Sequence, residues 1–98
     1  MGKRERRRNM QIEKMRGRHS LKNENGEVMG YITYQEKNGN VIEIDHTVVH
    51  EEYAGQGLAS KLVRSVADEA RKEGWKIIPT CSYAEKWFEK HPDEKDLL

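Results

Sequence analysis

Residues His50–Val63 read HEEYAGQGLASKLV, and this stretch decides the fold. Gly55 and Gly57 flank Gln56 and run directly into a segment with helical periodicity. Glycine at a helix start costs backbone entropy and supplies no side chain to pack. A loop of small residues entering a helix, however, exposes main-chain N–H groups that have no intrahelical acceptor. The aligned peptide dipoles add about half a positive charge there. Bare backbone at Gly55 and Gly57 would let an anion such as a diphosphate sit against those donors. Gly-x-Gly before a helix is also ordinary turn chemistry, so the motif needs its surroundings to be read.

Downstream, Leu58, Leu62, Val66 and Ala70 recur every four residues with Ala59, Val63 and Ala67 beside them, and charged residues fill much of the rest. This spacing predicts a one-sided amphipathic helix of about four turns, ended by Gly74 as a left-handed cap. WKIIPT, residues 75–80, reads as a short strand stopped by Pro79. In the following SYAEKWFEKHP, Ser82 with Glu85 forms a capping box, which predicts a helix over Tyr83–Lys90 with Ala84, Trp87, Phe88 and His91 inward.

Upstream, Asn25-Gly26 and Asn38-Gly39 separate alternating runs, the strongest short-range hairpin signal. Three antiparallel strands are expected at about 18–22, 27–35 and 40–49. On the third, the two-residue period puts Ile42, Ile44, His46 and Val48 on one face, and Val41, Glu43, Asp45, Thr47 and Val49 on the other. The fold class is therefore α+β: a mixed, mostly antiparallel sheet in the order β-β-β-α-β-α. Its one parallel step is a right-handed strand–helix–strand crossover.

Ninety-eight residues suit a single domain. Charged residues make up 36% of the chain but the net charge is only +1. Residues 1–18 carry eight Lys/Arg against Glu5 and Glu13, so an acidic domain follows a basic stretch. Residues 1–17 are expected to be a flexible basic arm, with residues 18–98 as the domain. Nucleic-acid binding through the arm is the minority reading, because no aromatic residues interleave its charges. One cysteine, Cys81, excludes an intrachain disulfide, and the scattered histidines give no metal spacing. No apolar run resembles a secretory signal or a bilayer span, so a monomeric cytoplasmic protein without membrane contact is the expectation. A P-loop is excluded for want of Gly-Lys-Ser/Thr, and a dinucleotide fold needs more crossovers than this chain holds.

Taken in order, His46-Thr47, GQGLA (Gly55–Ala59), PTCSY (Pro79–Tyr83) and His91-Pro92 resemble the GNAT superfamily of N-acetyltransferases, in particular its very short single-domain branch. The resemblance covers about Arg18 to Leu98. It implies acetyl-CoA as cosubstrate, an amine acceptor of unknown identity and no metal. It implies that Gly55, Gln56, Gly57, Leu58, Ala59 and Ser60 hold the diphosphate, largely through main-chain N–H groups. It also implies that the backbone near Thr47, Val48 and Val49 pairs with the pantetheine arm. The superfamily signature Arg/Gln-x-x-Gly-x-Gly/Ala, aligned on Gly57 and Ala59, has Ala54 at its first position, a departure that withdraws one side chain from the loop. For catalysis the resemblance implies Cys81 and His46. Cys81 precedes the last helix, where unpaired N–H groups favour a reactive sulfur, and an imidazole within reach would make it an activated nucleophile. Direct attack of the amine on acetyl-CoA, with His46 as base, is the other route. A weakly catalytic CoA-binding module is the alternative function.

Overall fold

The computed structural model of the chain describes residues 10–98. Residues 1–9, the larger part of the expected arm, lie outside them. Five strands form one sheet in sequence order: β1 (Gln11–Met15), β2 (Arg18–Lys22), β3 (Val28–Lys37), β4 (Val41–Val49) and β5 (Lys76–Pro79). The first three pairings are antiparallel and β4–β5 is parallel. Helix α1 (Leu58–Glu73) makes the crossover, and α2 (Ser82–Lys90) comes after β5. Short 3-10 turns occupy Glu51–Tyr53 and Pro92–Leu97.

Both Asn-Gly turns carry left-handed glycines, with φ 81° at Gly26 and 71° at Gly39. Strand β1 corrects the expected arm over residues 11–15. Ile12 pairs with Leu21 and packs on the core, while Glu13, Lys14 and Met15 are exposed. A single inward apolar residue among charges gives little periodic signal, and the connecting Arg16-Gly17 is a weaker turn signature than Asn-Gly.

Helix α1 buries Leu58, Leu62, Val63, Val66, Ala67 and Ala70 against Leu21, Ile32, Tyr34, Ile42, Ile44 and Ile77 of the sheet. Full burial of each Leu, Ile or Val contributes about 1.5–3 kcal/mol. Gly74 ends the helix at φ 78°, its N–H donating to Ala70 O. Helix α2 packs beside α1 through Ala84, Trp87 and Phe88, and Trp87 Nε1–H donates to Ser60 Oγ at 2.9 Å. His91 stacks on Trp87 with ring centres 3.9 Å apart.

Strand β4 departs from simple alternation. Thr33 pairs with His46 but Tyr34 pairs with Ile44, so Asp45 is an extra residue in β4. The bulge reverses the facing of the residues after it. Ile42 and Ile44 are fully buried beneath the helices, whereas His46 turns to the other side of the sheet with 70% of its side chain exposed. The expectation that His46 lies in line with Ile42 and Ile44 is thereby corrected.

Candidate active site

Strands β4 and β5 run paired from Val41/Lys76 to Ile44/Pro79 and then part. The N–H groups of Thr80 and Cys81 both donate to Ile44 O, at 3.0 and 3.2 Å, which closes the pairing and turns the chain into α2. Beyond this point Asp45–Val49 continue alone on the β5 side. His50 N–H donates back to Met29 O of β3 at 2.9 Å. By strand alternation, the main-chain groups of Val49 and Thr47 therefore point at the free edge. An extended ligand could pair there as an added strand.

This edge leads into the glycine loop. After the turn at Glu51–Tyr53, Gly55 and Gly57 adopt φ 83° and 74°. A Cβ at either would meet nothing within 4 Å, so the left-handed backbone demands glycine and the space above it is open. Gly57 is the N-cap of α1 and has no side chain to cap it. The first intrahelical bond is Lys61 N–H to Gly57 O at 3.3 Å, so the N–H groups of Leu58, Ala59 and Ser60 precede it. The first turn holds no acidic residue to neutralise the dipole. A groove of about 250 Å³ joins the two features, lined by Val49, Tyr53, Ala54, Gly55, Gly57, Leu58, Ala59 and Tyr83. Gln56 is exposed at the loop tip.

Cys81 sits where the strands part. It is the N-cap of α2, its Sγ accepting from Ala84 N–H at 3.4 Å, and the helix starts at Ser82. This corrects the expected Ser82–Glu85 capping box: Glu85 N–H is already bonded to Cys81 O at 3.1 Å. Cys81 Sγ lies 3.3 Å from Thr47 Oγ1. The bulge that turns His46 outward turns Thr47 inward, so the structure brings Thr47, not His46, to the sulfur. The expected Cys81–His46 pair is not formed.

Residues 18–97 match the GCN5-related N-acetyl-transferase family. The chain belongs to that family. Among solved GCN5-related structures, a GCN5-like protein from Staphylococcus aureus determined by NMR is 36% identical, with a TM-score of 0.74 over 91% of this chain and 87% of that one. The fold is also that of the GNAT protein YhbS from Escherichia coli in complex with CoA, at a TM-score of 0.56, 24% identity and coverage of 63% and 38%. Protein NATD1 of Gallus gallus and of Mus musculus is 28% identical over 61 residues, 62% of this chain and 56% of the relative. The chain thus spans about half the length of these curated relatives.

Several groups of this GCN5-related chain escape sequence reasoning. Tyr83 lines the groove from α2, but a single tyrosine after a capping position carries no signal. Asp45 accepts from Thr33 Oγ1 at 2.5 Å and from Gln35 Nε2 at 3.0 Å, and its Oδ1 lies 3.7 Å from His46 Nδ1. Only the bulge juxtaposes these side chains. His19, one of the scattered histidines, is fully buried between Ser65 Oγ at 2.8 Å and Glu69 Oε1 at 2.9 Å, and Tyr34 OH donates to the same carboxylate at 3.0 Å. Burial holds the His19 ring below its ordinary titration range, with Glu69 opposing.

Proposed function

We propose that the protein is an N-acetyltransferase that takes the acetyl group from acetyl-CoA and passes it to an amine. The single observation that carries this reading is continuity: the free β4 edge at Thr47 and Val49 runs through the groove to the uncapped N–H groups of α1. The diphosphate sits on the N–H groups of Leu58, Ala59 and Ser60. The pantetheine amides pair with the edge, and the thioester falls where β4 and β5 part. Without an Arg or Gln at Ala54, main-chain donors carry the phosphate contacts.

The amine nitrogen attacks the thioester carbonyl carbon, and the carbon–sulfur bond breaks to release CoA as its thiolate. Nε2 of His46, on the open side of the sheet, takes the proton lost by the amine. A second route is favoured by the position of Cys81: its Sγ, with Ala84 N–H directed at it, attacks the thioester carbonyl carbon and the CoA sulfur departs with the thiol proton. The amine then attacks the acetyl carbon, the bond to Sγ breaks, and the sulfur takes up the proton lost by the amine.

Titrating acetyl-CoA into ¹⁵N-labelled protein tests the reading. Amide peaks of residues 47–49 and 55–60 should move together, and release of CoA should follow addition of amines. Peaks that stay fixed under excess acetyl-CoA would overturn it. Intact mass after mixing separates the routes: an acetyl adduct present in wild type and missing in Cys81→Ala marks the relay.

A further inference from the structure

We propose that Asp45 is the positioning residue of the His46 base: its carboxylate, clamped from β3 by Thr33 and Gln35, holds the imidazole proton on Nδ1 and leaves the Nε2 lone pair for the acceptor amine. The inference rests on the acetyltransferase reading for its catalytic meaning, and on the bulge for its geometry.

A residue pair i, i+1 in a regular strand points to opposite faces and cannot interact through side chains. At the β4 bulge Asp45 is the extra residue, and its Oδ1 lies 3.7 Å from His46 Nδ1. At that separation the contact is electrostatic rather than a formed hydrogen bond, and an N–H on Nδ1 is the arrangement it favours. The clamp is directional. Thr33 Oγ1–H donates to the same Oδ1 at 2.5 Å, and Gln35 Nε2–H donates to Oδ2 at 3.0 Å, which fixes the plane of the carboxylate. Burial pushes the Asp45 carboxyl up, but the Thr33, Gln35 and main-chain hydrogen bonds, with His46 nearby, together hold it below its ordinary value. It is therefore ionised through the neutral range.

The place of the pair gives it a use. Asp45 follows Ile44, whose carbonyl closes the β4–β5 pairing, so the imidazole stands at the mouth of the split on the face opposite Cys81. A neutral imidazole left to itself favours the proton on Nε2, which would present a donor to an incoming amine. The carboxylate beside Nδ1 reverses that preference and presents the lone pair.

The ring ¹⁵N shifts of His46 test this without any turnover. At a pH where the ring is neutral, wild type should show predominantly the Nδ1–H tautomer, and Asp45→Asn should revert towards Nε2–H with its amide spectrum otherwise intact. Thr33→Val with Gln35→Met, which release Asp45 without removing it, should move the populations in the same direction. Kinetically, Asp45→Asn should lower kcat, because it removes the group that fixes the tautomer of the base, with KM for acetyl-CoA unchanged. The same tautomer in wild type and Asp45→Asn would overturn the proposal. A tautomer difference between wild type and Asp45→Asn, with a wild type that transfers no acetyl group, would instead sink the acetyltransferase reading and leave the Asp45–His46 pairing standing.

Discussion

Cys81 Sγ stands 3.3 Å from Thr47 Oγ1 and 3.4 Å from Ala84 N, so one sulfur both caps α2 and ties it to β4 at the point where β4 and β5 separate. Sulfur is a weaker acceptor than oxygen, so the cap is adequate rather than strong. Cys81→Ala should lose about 1 kcal/mol of stability, the usual cost of an N-cap. Cys81→Ser should retain or exceed wild-type stability, because a hydroxyl satisfies Ala84 N–H better. Urea denaturation of the three proteins checks the order; equal stability of the Ala and Ser variants would show that the sulfur caps nothing.

Gly57 is required by its backbone, not by its surroundings. With φ at 74° and nothing within 4 Å of the place a Cβ would take, Gly57→Ala should cost about 1–2 kcal/mol through the left-handed conformation alone. Its methyl also projects into the open space where a diphosphate would lie, so affinity for acetyl-CoA should fall about tenfold or more. Calorimetry on the folded variant decides; unchanged affinity would remove the loop from the site.

Gly30 presents the opposite case. Its φ is ordinary, but a Cβ there would stand 2.6 Å from Val48 O and 3.1 Å from Val49 Cα. No flexible side chain can yield, so Gly30→Ala must displace the β4 backbone that carries the free edge. The expected cost is about 1–3 kcal/mol, as for other overpacked sites. Amide shifts should change through residues 47–50 and acetyl-CoA binding should weaken, although Gly30 lies on a different strand from the edge. A variant of full stability with unaltered shifts at Val48 and Val49 would refute the close approach.

How much of this was legible depends on the range of each signal. The two Asn-Gly turns, the four-residue spacing of α1 and the Gly55–Gly57 loop are local, and each stands where the pattern places it. The free edge of β4 comes from a crossover whose second strand stops at Pro79, again a local feature. The failures all depend on pairing. The bulge at Asp45 is set by how β3 and β4 register, and it reversed the facing of His46 and Thr47 together. Strand β1 exists because Ile12 finds Leu21 across the sheet, and the α2 cap moved to Cys81 because the turn after Ile44 O leaves Sγ over Ala84 N–H. Periodicity applied through an unseen bulge gives the right strand and the wrong face.

Arg71 binds Asp96 through two nitrogens, at 2.7 and 3.0 Å, and Glu94 at 2.7 Å; Arg64 reaches Glu94 from the preceding turns of α1 at 2.8 Å. These pairs hold the Pro92–Leu97 turn, and with it buried Leu97, against α1. Arg71 and then Arg64 keep the Glu94 carboxyl below its ordinary value, and Arg71 does the same for Asp96. Carboxyls depressed in the folded state contribute stability above their unfolded values, and that contribution disappears as pH falls through the folded ones. Arg71→Ala should therefore melt a few degrees below wild type at neutral pH and low salt. The difference should shrink with added salt and close on acidification below the ordinary carboxylate range.

Acid should also act through His19, in a separate window. Burial lowers its titration from 6.5, with Glu69 opposing and Lys14 assisting. A histidine that binds its proton less readily when folded adds a stability deficit that is absent at high pH and grows as pH falls below about 6.5, the unfolded value. Wild type should thus lose stability between pH 7.5 and 5.5, before the carboxylates titrate. His19→Leu removes the titrating ring and its two hydrogen bonds but leaves Glu69 bonded to Tyr34 OH and Ser65 to Leu62 O, so it should be less stable at pH 7.5 by only about 1–2 kcal/mol. Its stability should change less than that of wild type across the same interval. Urea midpoints at the two pH values give the answer: parallel losses in both proteins would mean that the buried imidazole does not couple folding to protons.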